Sequence, residues 1–144
     1  MLFISHRGNI DGPLRTLENN PSHILTLTKR GIDVEIDVWY DGEQLYLGHD
    51  KPRYEIDLSF LQNDKFWCHA KNLQALEYML QHNVHCFWHQ TDDYTITSRG
   101  YIWTFPNKPV CKKSIIVCHS LEETKHYANL DIAGVCSDYI GEIK

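Results

Sequence analysis

The chain has 144 residues, of which 42% are hydrophobic and 12% aromatic, so it can bury one core but is too short for two ordinary domains. We therefore expect a single domain over residues 1–144. The formal net charge of -5 excludes the extended basic surface that binds a nucleic-acid backbone, so no nucleic-acid partner is expected.

The predicted strands are short and rich in β-branched and aromatic residues. In chain order they are Leu2–Ser5, Val34–Tyr40, Leu45–Leu47, Phe66–Ala70, His85–His89, Tyr94–Thr97, Tyr101–Phe105, Ser114–Cys118 and Gly134–Ser137. Short turns, rather than long linkers, separate most of them.

Three segments between these strands carry helix signals. The first follows an Asn20 cap, begins at Pro21 and stops before Gly31. The second follows Asn72 and has its apolar residues on one face. The third begins with a capping box at Ser120.

The order of these elements indicates the fold class. Strands alternate with helices at both ends of the chain, which favours an α/β fold with a largely parallel sheet. Between residues 85 and 118 there is room only for strands and turns, so some crossover helices must be missing. A complete (β/α)₈ barrel needs roughly 250 residues. The elements alone leave open a reduced barrel or an open sheet.

Two acidic residues share one face of the second predicted strand. Because side chains alternate along a strand, Glu35 and Asp37 point to one face and their apolar neighbours to the other. Neighbouring ionised carboxylates repel each other unless a proton or a cation lies between them, and their oxygens suit Mg²⁺ or Ca²⁺. The alternative is a solvated polar strand face with local ion pairs.

Three further polar segments lie at or just beyond the C-terminal ends of predicted strands or before a helix. They are His6-Arg7-Gly8, Glu18-Asn19 and Gly48-His49-Asp50. Loops at the C-terminal face of a parallel sheet or barrel assemble active sites. This placement makes His6 and His49 candidates for catalysis, whereas five other histidines are more simply explained as structural: His23, His82, His85, His119 and His126.

These segments resemble those of glycerophosphodiester phosphodiesterases in order and spacing. The similar segments are His6–Gly8, Glu18–Asn19, Val34–Val38, Asp41–Gly42 and Leu47–Asp50. A weaker similarity continues at His69–Lys71 and Val135–Tyr139, whereas the segment from His82 to Lys125 contains no motif of the family.

The resemblance implies both a fold and an activity. The fold is a minimal (β/α)₈ TIM-type barrel with several helices missing or shortened, in which Leu45–Leu47 is a return hairpin. The activity is hydrolysis or cyclisation of a glycerophosphodiester-like substrate with a divalent metal ion, Mg²⁺ or Ca²⁺ in the first place. The implied roles are metal binding by Glu35 and Asp37, proton transfer by His6 and His49, and phosphate binding by Arg7 and Lys71.

Two residues, His69 and Glu18, each have two alternative roles. His69 stands where the family usually offers a third acidic metal ligand, on the same strand face as Lys71. As a ligand, its imidazole would shift the preference toward Mn²⁺ or Zn²⁺; otherwise it is a structural residue of the strand. Glu18 either faces the metal or holds Arg7 in place through a charge-assisted hydrogen bond.

Two other functions are compatible with these residues. One is a catalytically weak barrel that binds a phosphorylated metabolite or a glycan phosphate, and the other is a lyase that acts on a lipid headgroup. The expected partner is a small phosphodiester substrate, and the protein is a monomer or a homodimer. No apolar run approaches the roughly 20 residues that cross a bilayer, and Met1 leads directly into a strand, so we expect a cytoplasmic protein without membrane insertion.

Overall fold

The computed structural model describes residues 1–143, which form one mixed sheet with short helices packed against it. The strands are β1 (Leu2–His6), β2 (Asp33–Tyr40), β3 (Leu45–Leu47), β4 (Tyr54–Ile56), β5 (Phe66–Ala70), β6 (Cys86–Phe87), β7 (Tyr94–Ile96), β8 (Ile102–Thr104), β9 (Ser114–Cys118) and β10 (Gly134–Ser137). The helices are α1 (Pro21–Lys29), α2 (Leu58–Leu61), α3 (Leu73–Gln81) and α4 (Leu121–Tyr127), and a 3₁₀ turn lies at Ile140–Glu142. None of the helices in these residues has the length and apolar character needed to cross a membrane.

The three predicted helices begin where their capping residues indicate. Asn20, Asn72 and Ser120 each accept a hydrogen bond from a backbone N–H in the first turn of α1, α3 and α4, respectively. Pro21 occupies the start of α1, where the helix needs no backbone donor. Neither β4 nor α2, which have three and four residues, was predicted from the sequence.

A parallel array forms the centre of the sheet. Its strands pair in the order β6-β5-β2-β1-β10-β9-β8. Strand β3 is antiparallel to the last residues of β2, and β4 is antiparallel to β3. At the other end, β7 is antiparallel to β8. Strand β1 lies between β10 and β2, so strands from both ends of the chain meet beside β2, the strand that carries the two carboxylates.

The predicted minimal (β/α)₈ barrel is wrong. No strand pairing joins β6 to β7 or β8 within the described chain, so the sheet does not close, and its four α-helices are too few for such a barrel. The links between β6 and β9 are too short for crossover helices. Single hydrogen bonds and ring contacts, rather than a strand ladder, connect the two ends of the sheet. The Ser98 N–H donates to the Cys86 carbonyl at 2.8 Å, and the rings of Phe87 and Trp103 stack with centroids 4.3 Å apart.

Strand β2 separates the main hydrophobic core from the polar site. Val34, Ile36 and Val38 are buried in a core that also contains apolar residues of α1 and α3. The predicted alternation therefore directs Glu35 and Asp37 to the other face, where they are also buried. A second apolar cluster is formed by Ile4, Trp67, Phe87, Trp103, Ile115 and Cys136.

Candidate metal and phosphate site

The register of the parallel strands brings the predicted residues together. His6 on β1 lies level with Glu35 on β2, and Asp37 on β2 lies level with His69 on β5. A cavity of about 300 Å³ opens at this point. It is lined by the predicted His6, Arg7, Glu35, His49, His69 and Lys71, together with His89, Gln90, Trp103, Phe105, Pro106, Val117 and His119.

Glu35 is the least compensated charge of the site. Its side chain is buried, and its Oε2 atom has no hydrogen-bond partner in the described part of the chain. The ring nitrogens His6 Nε2 and His69 Nδ1 each lie 3.9 Å from one of its oxygens. Burial and the neighbouring charge of Asp37 raise the pKa of Glu35. A cation at this carboxylate would therefore relieve an unfavourable buried charge.

Asp37, in contrast, is surrounded by donors. Its carboxylate accepts a hydrogen bond from Asn19 Nδ2 at 2.9 Å, and its own N–H donates to Asn19 Oδ1 at 2.9 Å. The basic nitrogens near its oxygens are His69 Nδ1 at 3.1 Å, His49 Nδ1 at 3.3 Å, Arg7 Nε at 3.4 Å and Lys71 Nζ at 3.9 Å. Although burial opposes ionisation, contacts with His49 and His69 and the charge of Arg7 hold the pKa of Asp37 well below its usual range.

The surroundings of His69 determine which of its ring nitrogens is free. Its Nε2 lies 3.1 Å from the His89 carbonyl oxygen, which can only accept, so Nε2 carries a proton. Its Nδ1 lies 3.1 Å from Asp37 Oδ1 and 3.9 Å from Glu35 Oε1. A neutral ring then directs its lone pair at two carboxylates, which is favourable when a cation lies between them. A backbone carbonyl that holds the second nitrogen is a common arrangement for metal-binding histidines.

Three side chains of the site fit a divalent cation. Glu35, Asp37 and His69 each offer one ligand atom, and these atoms lie within 4.8 Å of one another. Two carboxylate oxygens and one imidazole nitrogen suit Mn²⁺ or Zn²⁺, and carboxylates also suit Mg²⁺ or Ca²⁺. Glu18, the other residue considered for the metal, is not part of this cluster.

Glu18 contacts Arg7 instead. Its Oε2 lies 3.7 Å from Arg7 Nη1, and its Oε1 accepts a hydrogen bond from Asn9 Nδ2 at 2.9 Å. The Arg7 backbone turns after β1 with a left-handed φ of 57°, and the Arg7 N–H donates to the Glu35 carbonyl at 3.0 Å. The guanidinium and the ammonium of Lys71 both border the cavity. This geometry favours the role of Glu18 in holding Arg7.

The two candidate proton-transfer residues come from different strands. His6 ends β1, and its Nδ1 lies 3.0 Å from Asp138 Oδ1. Burial lowers the pKa of His6, but the hydrogen bond with Asp138 and the charge of Glu35 outweigh this effect, so the pKa is raised. His49 follows β3; its Nε2 accepts a hydrogen bond from Arg7 Nη2 at 3.3 Å, and its Nδ1 faces a carboxylate. Both rings border the cavity.

Incomplete hydrogen bonding is concentrated at this site. Within residues 1–143, the buried side-chain nitrogen and oxygen atoms without a hydrogen-bond partner are Arg7 Nε, Glu35 Oε2 and His49 Nδ1. Buried polar groups are nearly always paired in folded proteins. All three atoms belong to residues that line the cavity. This pattern is expected where charged ligands complete the pairing.

Three residues that support the site had no predicted role. Asn19 pairs with Asp37, Asn9 pairs with Glu18, and Asp138 pairs with His6. Asn19 and Asp138 lie in segments that resemble the phosphodiesterase family, and this position is the sequence signal that could have identified them. Asn9 follows the first such segment and has no signal of its own.

Another part of the cavity wall comes from the segment without a family motif. It consists of His89 and Gln90 after β6, Trp103 on β8, Phe105 after β8 and His119 after β9. Burial and the nearby His69 lower the pKa of His89 to about 4, so its ring is neutral at pH 7. This part of the wall therefore offers aromatic and neutral polar contacts.

The chain matches no protein-family model, no curated protein and no solved structure. No activity can therefore be transferred to it from a relative. Its function has to be argued from the side chains that border the cavity and from their geometry.

Proposed function

We propose that the protein is a metal-dependent phosphodiesterase, similar to glycerophosphodiester phosphodiesterases, that acts on a small phosphodiester. The observation that carries this proposal is the meeting of three kinds of group at one cavity. The ligand cluster of Glu35, Asp37 and His69 lies beside two histidines and two cationic side chains. Metal binding, phosphate neutralisation and proton transfer are the tasks that phosphodiester cleavage requires.

Arg7 and Lys71 would bind the phosphate. Both side chains line the cavity, and they lie 3.4 Å and 3.9 Å from oxygens of Asp37. A phosphodiester resists attack because its anionic oxygens repel the nucleophile, and cations at those oxygens reduce the repulsion. Glu35, Asp37 and His69 would hold a divalent cation, which would supply further charge neutralisation at the phosphate.

His6 and His49 would transfer the protons. One imidazole accepts the proton of the attacking hydroxyl and the other donates a proton to the leaving alkoxide, and imidazole serves both roles near neutral pH. His6 Nε2 is the nitrogen not engaged by Asp138 and lies 3.9 Å from Glu35 Oε2. If water attacks, the product is a phosphomonoester; if a neighbouring substrate hydroxyl attacks, the product is a cyclic phosphate.

The cavity supports a small polyol ester as substrate. Its volume of about 300 Å³ is at the lower end of the range for ligand pockets. His89, Gln90 and His119 can form hydrogen bonds with hydroxyl groups, and Phe105 offers an aromatic face. A glycerol-like alcohol matches such a wall better than a long acyl chain.

Phosphate binding without turnover is a second candidate function. The contacts of Asp37 favour it, because Asn19 Nδ2 and Arg7 Nε at one of its oxygens and Lys71 Nζ at the other compete with a metal. Arg7 and Lys71 would then bind a phosphorylated metabolite or a glycan phosphate without a metal.

The deciding experiment offers glycerophosphodiesters and bis(p-nitrophenyl) phosphate to the protein with Mg²⁺, Ca²⁺, Mn²⁺, Zn²⁺ or EDTA. We expect turnover that EDTA abolishes and at least one of these metals restores. Phosphorus NMR would distinguish a monoester from a cyclic product, and Glu35→Gln is the control that removes one ligand with little change in shape. Binding of the diester in EDTA without turnover in any metal would contradict the enzyme and favour the binding function.

A further inference from the structure

Side chains from opposite ends of the chain meet beside the site. Strands β1 and β10 are parallel neighbours, with Ser5 level with Ser137, so His6 and Asp138 are the next residues on each strand. His6 Nδ1 and Asp138 Oδ1 are 3.0 Å apart, although the two residues are separated by 132 positions in the sequence. Asp138 is buried, with 8% of its surface exposed.

This hydrogen bond fixes the position of the proton on neutral His6. A carboxylate oxygen can only accept, so the proton lies on Nδ1. The lone pair then lies on Nε2, the nitrogen that is 3.9 Å from Glu35 Oε2. Nε2 is therefore the atom through which His6 exchanges a proton with a molecule in the cavity.

Asp138 is itself held in one orientation. Its Oδ1 accepts a second hydrogen bond from Asn9 Nδ2 at 2.8 Å. The amide of Asn9 cannot be reversed, because its Oδ1 accepts from the Leu14 N–H at 2.9 Å while its Nδ2 also donates to Glu18 Oε1 at 2.9 Å. The backbone carbonyl of Asp138 accepts from the Gly12 N–H at 2.8 Å, a contact that does not depend on the side chain.

We propose that Asp138 is the positioning residue of His6, which it holds in the tautomer with the proton on Nδ1 and the lone pair on Nε2. The inference rests on the proposed function in that His6 is taken to transfer protons. Asp138 belongs neither to the residues that line the cavity nor to the metal-ligand cluster of residues 1–143. It therefore acts through His6 and not on substrate or metal.

The ionisation of Asp138 agrees with this role. Burial raises its pKa, but the hydrogen bond and charge of His6 and the hydrogen bond from Asn9 outweigh that effect, so the pKa is lowered. The carboxylate is thus anionic at neutral pH. An anion at Nδ1 also stabilises the imidazolium that forms when Nε2 takes up a proton.

Three variants separate this role from a merely structural one. Asp138→Asn should keep the tautomer, because His6 and Asn9 both still donate to an oxygen at this position. Asp138→Ala removes the acceptor and frees the His6 proton to move to Nε2. Asp131→Asn is the matched control for loss of one charge, because Asp131 is exposed and pairs with Lys112 at 3.2 Å.

Nitrogen NMR of the ring tests the tautomer without reference to turnover. Spectra of the metal-free protein are recorded at a pH at which His6 is neutral, and His6→Gln identifies its resonances. We expect the Nδ1–H tautomer in the parent, Asp138→Asn and Asp131→Asn, and a substantial Nε2–H population in Asp138→Ala. An Nε2–H tautomer in the parent, or an unchanged Nδ1–H tautomer in Asp138→Ala, would overturn the inference even if the protein is a phosphodiesterase.

Kinetics supply the second readout. Asp138→Ala should lower kcat by on the order of 10-fold or more and change KM by less than about twofold, because Asp138 does not touch the substrate. Asp138→Asn should retain more of kcat than Asp138→Ala. A higher KM with an unchanged kcat would contradict the inference. If Asp138→Ala does not fold, Asp138→Ser, whose hydroxyl is too short to reach His6, gives the same two readouts.

Discussion

At the scale of single residues, Glu35 and Asp37 show how two identical charges on one strand face can differ. Asp37 accepts a hydrogen bond from Asn19 and lies near His49, His69 and Arg7, and its pKa is held low in spite of its burial. Glu35 lacks a hydrogen bond at Oε2, and its pKa is raised. The strand period places both on one face, but their neighbours decide which carboxylate has a raised pKa and which has a lowered pKa.

Replacing Glu35 by Gln should stabilise the metal-free protein and weaken metal binding. Because the pKa of Glu35 is raised in the folded state, ionisation of this group costs stability as the pH rises above the unfolded value of about 4.3. We expect a higher free energy of unfolding than in the parent at pH 8, measured with urea in EDTA. Calorimetric titration should show that the variant binds Mn²⁺ less tightly than the parent protein does. The exposed Glu43→Gln is the control, and a less stable Glu35→Gln in EDTA would refute the prediction.

Replacing either His6 or His49 by Ala should reduce turnover by on the order of 10²-fold, because each change removes a proton-transfer group. Steady-state assays with the metal that supports turnover measure the effect, and circular dichroism checks that each variant folds. His82→Ala, an exposed histidine whose Nδ1 contacts the Tyr78 carbonyl, is the control. Near-normal rates in either variant would eliminate the mechanism with two histidines.

Replacing His69 tests its role as a ligand. His69→Glu restores an acidic ligand and should shift the metal preference from Mn²⁺ or Zn²⁺ toward Mg²⁺ or Ca²⁺, whereas His69→Ala should bind each metal less tightly. Calorimetric titration of each variant with each metal measures the change. His82→Ala, which removes an exposed histidine outside the cavity lining, serves as a control. Unchanged affinities in both His69 variants would make His69 a structural residue.

At the scale of elements, short strands and one tight turn place side chains from distant segments of the chain next to one another at the site. The hairpin after β2 returns His49 to Asp37, and the Gly48 N–H donates to the Asp37 carbonyl at 3.1 Å. A side chain at Gly48 would collide with the Lys51 carbonyl, so this turn requires glycine. On the other side of β2, the parallel neighbours β1 and β10 are joined through His6 and Asp138.

The His6–Asp138 pair should stabilise the metal-free protein in a limited pH window. The raised pKa of His6 contributes stability below the unfolded value of about 6.5, which is lost as the pH rises through the folded value. The lowered pKa of Asp138 contributes stability above about 3.9, which is lost as the pH falls through its folded value. We therefore expect Asp138→Asn to destabilise the protein more at pH 5.5 than at pH 9.

Urea unfolding in EDTA at the two pH values measures this difference, with Asp131→Asn as the control for a lost surface charge. An equal loss of stability at both pH values would show that the pair contributes packing and hydrogen bonding but no pH-dependent ion pairing.

At the scale of the whole molecule, aromatic packing joins the two ends of an unclosed sheet. Trp103 is 3% exposed, and its ring lies 4.3 Å from that of Phe87 and 6.1 Å from that of Trp67. These rings come from β8, β6 and β5 and lie next to the cavity, which Trp103 also lines. Side-chain packing thus replaces strand pairing between the ends of the sheet.

Trp103→Ala should lower the free energy of unfolding by about 3–5 kcal/mol, because it removes a large buried ring that connects the sheet ends. Trp103→Phe should cost less, since it keeps an aromatic ring in contact with Phe87. Ile96→Ala is the control, because Ile96 is 72% exposed. Urea unfolding measures all three, and a loss in Trp103→Ala no larger than in Ile96→Ala would contradict this role.

The sequence by itself determined features that depend on neighbouring residues. Alternation along β2 predicted that Glu35 and Asp37 share one face, and the capping residues predicted the starts of α1, α3 and α4. These predictions hold because the strand period and the capping hydrogen bonds arise within a few residues of the backbone.

Only the tertiary structure decided the closure of the sheet and the hydrogen bonds of the site histidines. The predicted barrel fails at β6, where two residues pair with β5 but with neither β7 nor β8 in the described chain. The tautomers of His6 and His69 depend on Asp138 and on the His89 carbonyl, which lie 132 and 20 positions away. Such contacts follow from strand register and from the packing of remote segments, and local sequence patterns do not encode either.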